Sequence, residues 1–551
     1  MKKRSLLKKI FYTLGVLVLV LGLSVWVFLT YYFQETLNTV LIPKIRQSVF
    51  TATHGRFALS LDSISYADGT LMGHAFVLSR IARDSSEHGL GLEWLSIDSV
   101  RFEGIRWWDI LRGNDAVLTS LKMNAPKLSL ANLDSNTAIK QLSIYDTAKL
   151  SASTLTKLPV ISFDSIVLDK VSVFFPKPSG RSIQPEYHNI SITLRDFLLD
   201  TKNKGKHLPF FSKQIELYLP YGAYSISDSL YSVEVHGVRA SLSDSLITVD
   251  SLSYHPNYSE QEFADLHRYI QGQLSFKSKA IAVRGIDVIR IMDQGSYHAA
   301  SCEASSWNVE YYGDRRKPHD PHPPDAVLPH VMLNAIKIPI LIDSVVLSNG
   351  LIRHRERATG SLRPSLITFT NARVSTSAFC TDTTNPKFKE SLKISVTALF
   401  MGQGKINAAV SYPIHQNAFD LNIDATVGPF DMTVLNSYLV TNERKEISEG
   451  HCLGGELRMS VRSGKASTMV CPRYKDLSMK ILATDVHKSR GIFEGIKSFI
   501  ANTFILRTKN IDTPDKKAMA ATTSYIYSRK EEFFEFIWLA LRRSIGKVAG
   551  F

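Results

Sequence analysis

The chain reads as a mainly β protein with an N-terminal transmembrane helix before the sheet and amphipathic helices after it. Three observations predict this class: an uncharged stretch behind a basic tail, recurrent period-two alternation through the body, and a change to helical period near the end.

The tail, residues 1–9, holds Lys2, Lys3, Arg4, Lys8 and Lys9 and no acid; residues 10–33, beginning at Ile10, carry no charge. As a helix that stretch reaches roughly 36 Å, enough for a hydrocarbon core of about 30 Å. Trp26, Tyr31 and Tyr32 stand near its far end, where aromatic rings favour the membrane–water interface. Positive charge lies upstream, so the expected topology is N-terminus in, with everything after Phe33 outside the cytoplasm. A cleaved signal would have a shorter apolar core and small residues at its cleavage site, and Thr30-Tyr31-Tyr32-Phe33-Gln34 does not supply them.

The body divides by composition into β-rich segments at 34–312 and 331–485. Runs such as Ile215-Glu216-Leu217-Tyr218-Leu219 and Phe419-Asp420-Leu421-Asn422-Ile423 alternate, one face apolar and one wet. So long a body exceeds what one core serves, and predicts several domains or one elongated architecture. One element recurs: apolar-x-apolar-Asp-Ser-apolar-x-apolar, carrying Asp62-Ser63, Asp98-Ser99, Asp164-Ser165, Asp250-Ser251 and Asp343-Ser344. Apolar parity flips across each pair. Leu95 and Ile97 share a face that a regular strand would deny to Val100 and Phe102. A β-bulge or a corner is therefore expected at each Asp-Ser, whose short side chains bond nearby backbone. A longer echo joins Gly104-Ile105, followed by Trp108 and Leu111, to Gly285-Ile286, followed by Ile289 and Met292.

Residues 313–330, rich in proline, read as an exposed linker. In the closing segment, 486–551, Ile492, Ile496, Phe499, Ile500 and Phe504 keep helical spacing. Phe533, Phe536, Ile537, Leu541 and Ile545 form a second apolar stripe, widened by Phe534 and Trp538. Such a stripe expects protein, lipid or a partner against it. The basic Arg542, Arg543 and Lys547 suit both the helix C-terminus and anionic head groups.

Net charge is +14, and a basic body fits an anionic lipid surface better than nucleic acid, for which no binding signature occurs. Four cysteines lack metal-finger spacing and imply no disulfide framework; a Cys452–Cys471 bridge stays open. His319, His322 and His330 with Asp320 and Asp325 form the one His/acid cluster with metal-like spacing, and a proline-rich loop rarely organises ligands. Gly402-Gln403-Gly404 lacks a nucleotide-site context, and no nucleophile-elbow, zinc-helix or P-loop pattern occurs. No catalytic residue, metal or cofactor is expected.

Taken in order, the basic tail and anchor, Ile97-Asp98-Ser99-Val100 with Gly104-Ile105, Trp108 and Leu111 leading to Ala125-Pro126-Lys127-Leu128-Ser129-Leu130, then Tyr474-Lys475-Asp476-Leu477, and Tyr527-x-Arg529 before an aromatic helix, resemble the AsmA-like family. These are relatives of TamB and of the bridge-like lipid transfer proteins. The resemblance implies a β-taco: an elongated, curved, mostly antiparallel sheet with an apolar groove. It further implies an inner-membrane protein with its bulk in the periplasm, phospholipid as cargo, and a role in outer-membrane biogenesis with an envelope protein partner. The alternative is a scaffold that assists outer-membrane protein assembly by adding strands at a sheet edge.

Overall fold

The computed structural model describes residues 20, 23–24, 32–53, 55–81, 91–106, 115–131, 160–174, 187–199, 210–226, 230–288, 290–291, 295–336, 338–359, 361, 363–482 and 507–550. It is mainly β, as the alternation predicts, and the strands pair mostly antiparallel, as the family resemblance implies. Two compact units result, Met1–Gly180 with Gln184–Gly222, and Arg181–Ile183 with Ala223–Phe551. Of the expected anchor, Ile10, Trp26 and Tyr31 lie outside the described residues, while Tyr32 is described and exposed. Among the described residues no helix is long and apolar enough to cross a membrane.

The first unit opens helical, where the sequence reading has a β-rich segment begin: Phe33–Thr36, a π turn over Leu37–Leu41, and α1 (Ile42–Ala52). Leu37 and Ile42 are buried against Leu61 and Ile64. The strands are β1 (Phe57–Ser60), β2 (Ser63–Ala67), β3 (Thr70–Arg80), β4 (Gly91–Glu103), β5 (Ala116–Asn124), β6 (Lys127–Ala131), β7 (Ile161–Phe174), β8 (Tyr187–Leu199) and β9 (Phe210–Ile226). β1 and β2 pair end to end along β3, as β5 and β6 do along β4. On the other side of β2, polar side chains of the first helical turns reach its backbone. Asn38 Oδ1 accepts from Ile64 N at 2.7 Å, Gln34 Oε1 accepts from Tyr66 N at 3.2 Å, and Gln34 Nε2 donates to Ile64 O. An edge strand that would otherwise invite a foreign strand is thus closed by side chains.

In the second unit the strands are β10 (Tyr231–Ser241), β11 (Leu246–Pro256), β12 (Gln273–Arg284), β13 (Tyr297–Asp314), β14 (Ile340–Arg357), β15 (Ser365–Thr376), β16 (Phe379–Cys380), β17 (Leu392–Phe400), β18 (Gly404–Tyr412), β19 (Leu421–Val427), β20 (Phe430–Asp431), β21 (Lys445–Arg462), β22 (Lys465–Ile481) and β23 (Ala521–Ile526). Its helices are α2 (Glu260–Leu266), α3 (Pro329–Asn334), α4 (Asn436–Asn442) and α5 (Phe533–Ala549). The segment expected as C-terminal helices thus contains a strand, β23, and one described helix, α5. The stretch from Ile492 to Phe504 lies outside the described residues.

Among the described residues each unit holds one parallel seam, β5 and β6 against β7, and β13 against β14. A parallel neighbour needs a crossover of a dozen residues or more. Residues 315–339 are that crossover, so the proline-rich segment lies within the second unit and does not mark the division between units. The crossover is tied down: Ala326 N donates to Arg529 O at 2.7 Å, and Lys530 Nζ bonds Asp325 Oδ1 at 2.8 Å. His330 is buried, its Nδ1 2.7 Å from the Tyr412 hydroxyl. The Gly104-Ile105 and Gly285-Ile286 echo has a structural counterpart, because each pair ends the strand that precedes a seam, with both glycines left-handed (φ 72° and 65°). In both seams the second strand carries Asp-Ser and, six residues on, a left-handed residue: Asp164 and Lys170 in β7, Asp343 and Asn349 in β14.

Left-handed residues recur inside strands: Gly237, Ala280, Ser306, Asn349 and Asn371 in β10, β12, β13, β14 and β15. Register lapses accompany those of β12 to β15. Ser306 and Asn349 are level across the seam, and beside them the Trp307 ring lies over Gly350, where a Cβ would stand 2.1 Å from Cε2. Trp307, Ala372 and Ala398 are buried together there. Gly350→Ala should therefore cost about 1–3 kcal/mol by overpacking, and Gly237→Ala should cost at least as much, since its Cβ would meet Asp250 Oδ2 at 1.9 Å with φ at 61°. Denaturant midpoints unchanged from the parent in both variants would refute this account of the packing beside the left-handed residues.

Candidate functional site

Along β10 to β15 the inward positions, nearly all apolar, advance by two residues, then by three, then by two again. In β11 they are Ile247, Val249, Leu252 and Tyr254; in β13, Cys302, Ala304, Trp307 and Val309; in β14, Val345, Leu347, Gly350 and Ile352. The three-residue step restores the face that alternation would lose. Cross-strand register then joins these positions into rows. One row runs Val233, Tyr254, Phe276, Val309, Ile352, Phe369, Phe400 over β10–β15 and β17. A second, on the other side of the bend, runs Val238, Val249, Ile281, Ala304, Leu347, Val374, Val396, Ala408, Ala425, Leu457, Val470 as far as β22. Both rows meet in the cluster around Trp307, which places them on one face. Between β10 and β17 most of their side chains are only half-buried.

The first unit has its own row, Leu71, Phe102, Leu121, Ile166, Leu194 and Ile215 from β3 to β9. Leu95, Ile97, Val100 and Phe102 lie in one apolar cluster, as do Phe163, Ile166 and Leu168, while Asp98 and Asp164 point to solvent. Neither Asp-Ser pair has a left-handed backbone; the strand alongside supplies it. Ala75 (φ 53°) is level with Asp98, Asp196 (φ 49°) with Asp164, and Gly237 and Ala280 flank Asp250. Asp62-Ser63 sits at the break between β1 and β2. Asp343-Ser344 marks the point where the neighbour of β14 changes from β16 to β15.

Two of the Asp carboxylates, Asp250 and Asp343, serve as local anchors. Asp250 Oδ1 accepts from Arg239 at 2.8 Å, and Asp343 Oδ1 accepts from Lys387 Nζ at 2.6 Å, with His298 Nε2 at 3.2 Å from Oδ2. The Lys387 bond, with His298 behind it and against some desolvation, holds the Asp343 carboxyl below its ordinary range. A depressed folded-state pKa stabilises above the unfolded value and loses that contribution as pH falls through the folded one.

The C-terminal stripe packs on its own unit. Phe536, Ala540, Ser544 and Val548, each four residues on, form the fully buried seam of α5 against β22 and β23, flanked by Phe533, Ile537, Leu541 and Ile545. Ala540 and Ser544 permit the close approach. Ser544 Oγ donates to Thr468 O at 2.9 Å and sits 2.6 Å from Thr523 Oγ1. Counting apolar residues misses both, because neither is large or apolar enough to mark a seam. Arg542 pairs with Glu443 at 3.0 Å and Arg543 lies over the Tyr525 ring, so both basic residues have partners within the unit. Phe534 remains 82% exposed and Trp538 41%.

All four cysteines are free, and register sets Cys452 opposite Tyr474 and Cys471 opposite Glu456. His319, His322 and His330 do not converge into a metal-ligand group; among the described residues such a group forms from Glu449, His451 and Asp476. Compared with protein-family models and with curated proteins, the chain matches none.

Two outcomes follow. Phe536→Ala should cost about 3–5 kcal/mol, whereas Phe534→Ala should change stability by no more than about 0.5 kcal/mol; equal losses in chemical denaturation would show that the helix docks differently. Asp343→Asn should lower stability at neutral pH by an amount that shrinks as pH falls below the ordinary carboxylate range, and a deficit that does not shrink on acidification would refute the Lys387 pairing.

Proposed function

We propose that the chain is a membrane-anchored, non-enzymatic envelope protein of AsmA-like kind that shields phospholipid acyl chains along an apolar lane. The observation that carries this is the register: directly paired apolar side chains follow one another across at least seven strands of the second unit, only half covered. A conduit needs such a continuous apolar face. A scaffold working by strand addition needs a free edge and tolerates a polar face. The opposite face carries polar residues, with Lys277 and Lys279 on β12, Glu303 on β13, Arg373 on β15, Ser395 on β17 and Asp424 on β19. Each acyl CH₂ withdrawn from water onto the lane contributes about 0.8 kcal/mol, while head groups stay hydrated.

In this reading residues 10–33 anchor the chain in the inner membrane and its bulk lies in the periplasm, a topology drawn from the charge asymmetry of the tail. α5 bears on the lane as well, because Val548, Leu541 and Ile545 cover Val470 and Ala521 where the second row ends. Acyl chains would therefore be held from β10 toward β19 and stop beneath α5.

Native mass spectrometry of the full chain, released from minimal detergent, should find co-purified phospholipid. Ile352→Glu or Phe369→Glu should remove most of it, and Ser395→Glu, on the polar face, should not. A lipid-free parent protein, or equal loss in all three variants, would sink the conduit; strand addition to an unfolded outer-membrane protein by the lipid-free chain would favour the scaffold. A reporter active only outside the cytoplasm, fused after Phe551, should give signal, and signal from a cytoplasm-only reporter would refute the topology.

A further inference from the structure

The structure assigns a divalent-cation site to the exposed face of β21 and β22, and we propose Glu449, His451 and Asp476 as its ligands. One donor atom from each residue lies within 4.8 Å of the others. Glu449 and His451 are two apart on β21 and share a face by alternation. Asp476 reaches them because it is the left-handed residue (φ 56°) of a three-residue step in β22 between the buried Tyr474 and Leu477. There β22 sets two residues, Asp476 and Leu477, against the single Gly450 of β21, between the pairs Glu449–Ser478 and His451–Lys475.

The electrostatics favour a cation. Two carboxylates this close repel one another, and Lys475 Nζ, 3.7 Å from Asp476 Oδ2 and half exposed, offsets only part of that charge. On the other side of β21, Asp431 is in register with His451, its carboxylate turned to Thr433 N at 2.9 Å. One imidazole with two carboxylates suits Zn²⁺ or Mn²⁺; an all-oxygen set would suit Ca²⁺ or Mg²⁺. A tetrahedral ion bonded at about 2.0–2.1 Å needs donors about 3.4 Å apart, which rotation of exposed side chains supplies, and leaves a fourth position for water. An ion there would join β21 to β22 where their ladder lapses. It is a structural clamp, independent of the lipid reading.

Isothermal titration of the full chain in detergent with Zn²⁺ alone should give one saturable site, and Zn²⁺ should raise the unfolding temperature. Glu449→Gln, His451→Ala and Asp476→Asn should each weaken binding by roughly tenfold or more and abolish the thermal shift. These positions are exposed, and unchanged circular dichroism would establish that the variants fold. His319→Ala with His322→Ala on the crossover should change neither readout. No saturable binding below about 100 µM, binding indifferent to the three substitutions, or binding lost in the crossover variant would each overturn the assignment.

Discussion

A β-strand sends successive side chains to opposite faces, so an apolar row can cross a bend only if every strand inserts one extra residue at the same place. In the second unit β10 to β15 all do so, and the shared three-residue step keeps Val233 to Phe369 and Val238 to Val374 on one face. The bend, the apolar rows and the polar back of the sheet depend on that alignment. Shift one strand by a single residue and its apolar positions turn to the polar side, opposite Lys277 or Arg373.

Two kinds of residue pair carry the step, and they complement each other. In most strands its second residue is left-handed, a conformation that costs a non-glycine residue roughly 1–2 kcal/mol. Burial along the step offsets that cost, as Ala372 and Trp307 do beside Asn371 and Ser306. Asp-Ser steps have no left-handed residue, and in β4, β7 and β11 a neighbouring strand provides one. Where left-handed residues face one another across a parallel seam, as Ser306 and Asn349 do, both strands bend together and their register survives. The same seam in the first unit, with Ala125 beside Lys170, repeats the device in different residues.

This division of labour explains what could be read from sequence. Alternation identified the strands, and the Asp-Ser parity flips marked three-residue steps in β4, β7, β11 and β14, because two polar residues inside an apolar frame are conspicuous; at Asp98, Asp164 and Asp250 the ladder keeps its register. His236-Gly237, Lys279-Ala280, Ser305-Ser306 and Thr370-Asn371 make the same step and share no dipeptide; backbone conformation, not side-chain identity, is what the position requires. Tyr474-Lys475-Asp476-Leu477, singled out as a motif, is one more such step. The crossover role of 315–339 was hidden because proline-rich composition describes a loop without saying what it connects. The helix at Ile42–Ala52 was hidden by its β-branched residues, and what holds it is the packing of Leu37 and Ile42 with the bonds of Gln34 and Asn38 to β2.

The rows also differ in how they are finished. At β22 α5 covers the second row, Val548 packing with Val470, while Phe536 and Ala540 pack against Leu421, Met459 and Val461 elsewhere on β19 and β21. Nearer β14 the described helices leave Val309, Ile352 and Phe369 half open. One continuous apolar surface thus passes from protein-covered to uncovered within a single unit. If burial of the chain's own core were the whole purpose of the rows, the seven-strand row would be the one to cover, since it holds the larger aromatic side chains and exposing them costs most per residue. The helix instead sits where Ala466, Ala521 and Thr468 allow close approach, and the aromatic row is left available. On the lipid reading proposed above, that half-open stretch is where an apolar ligand would lie.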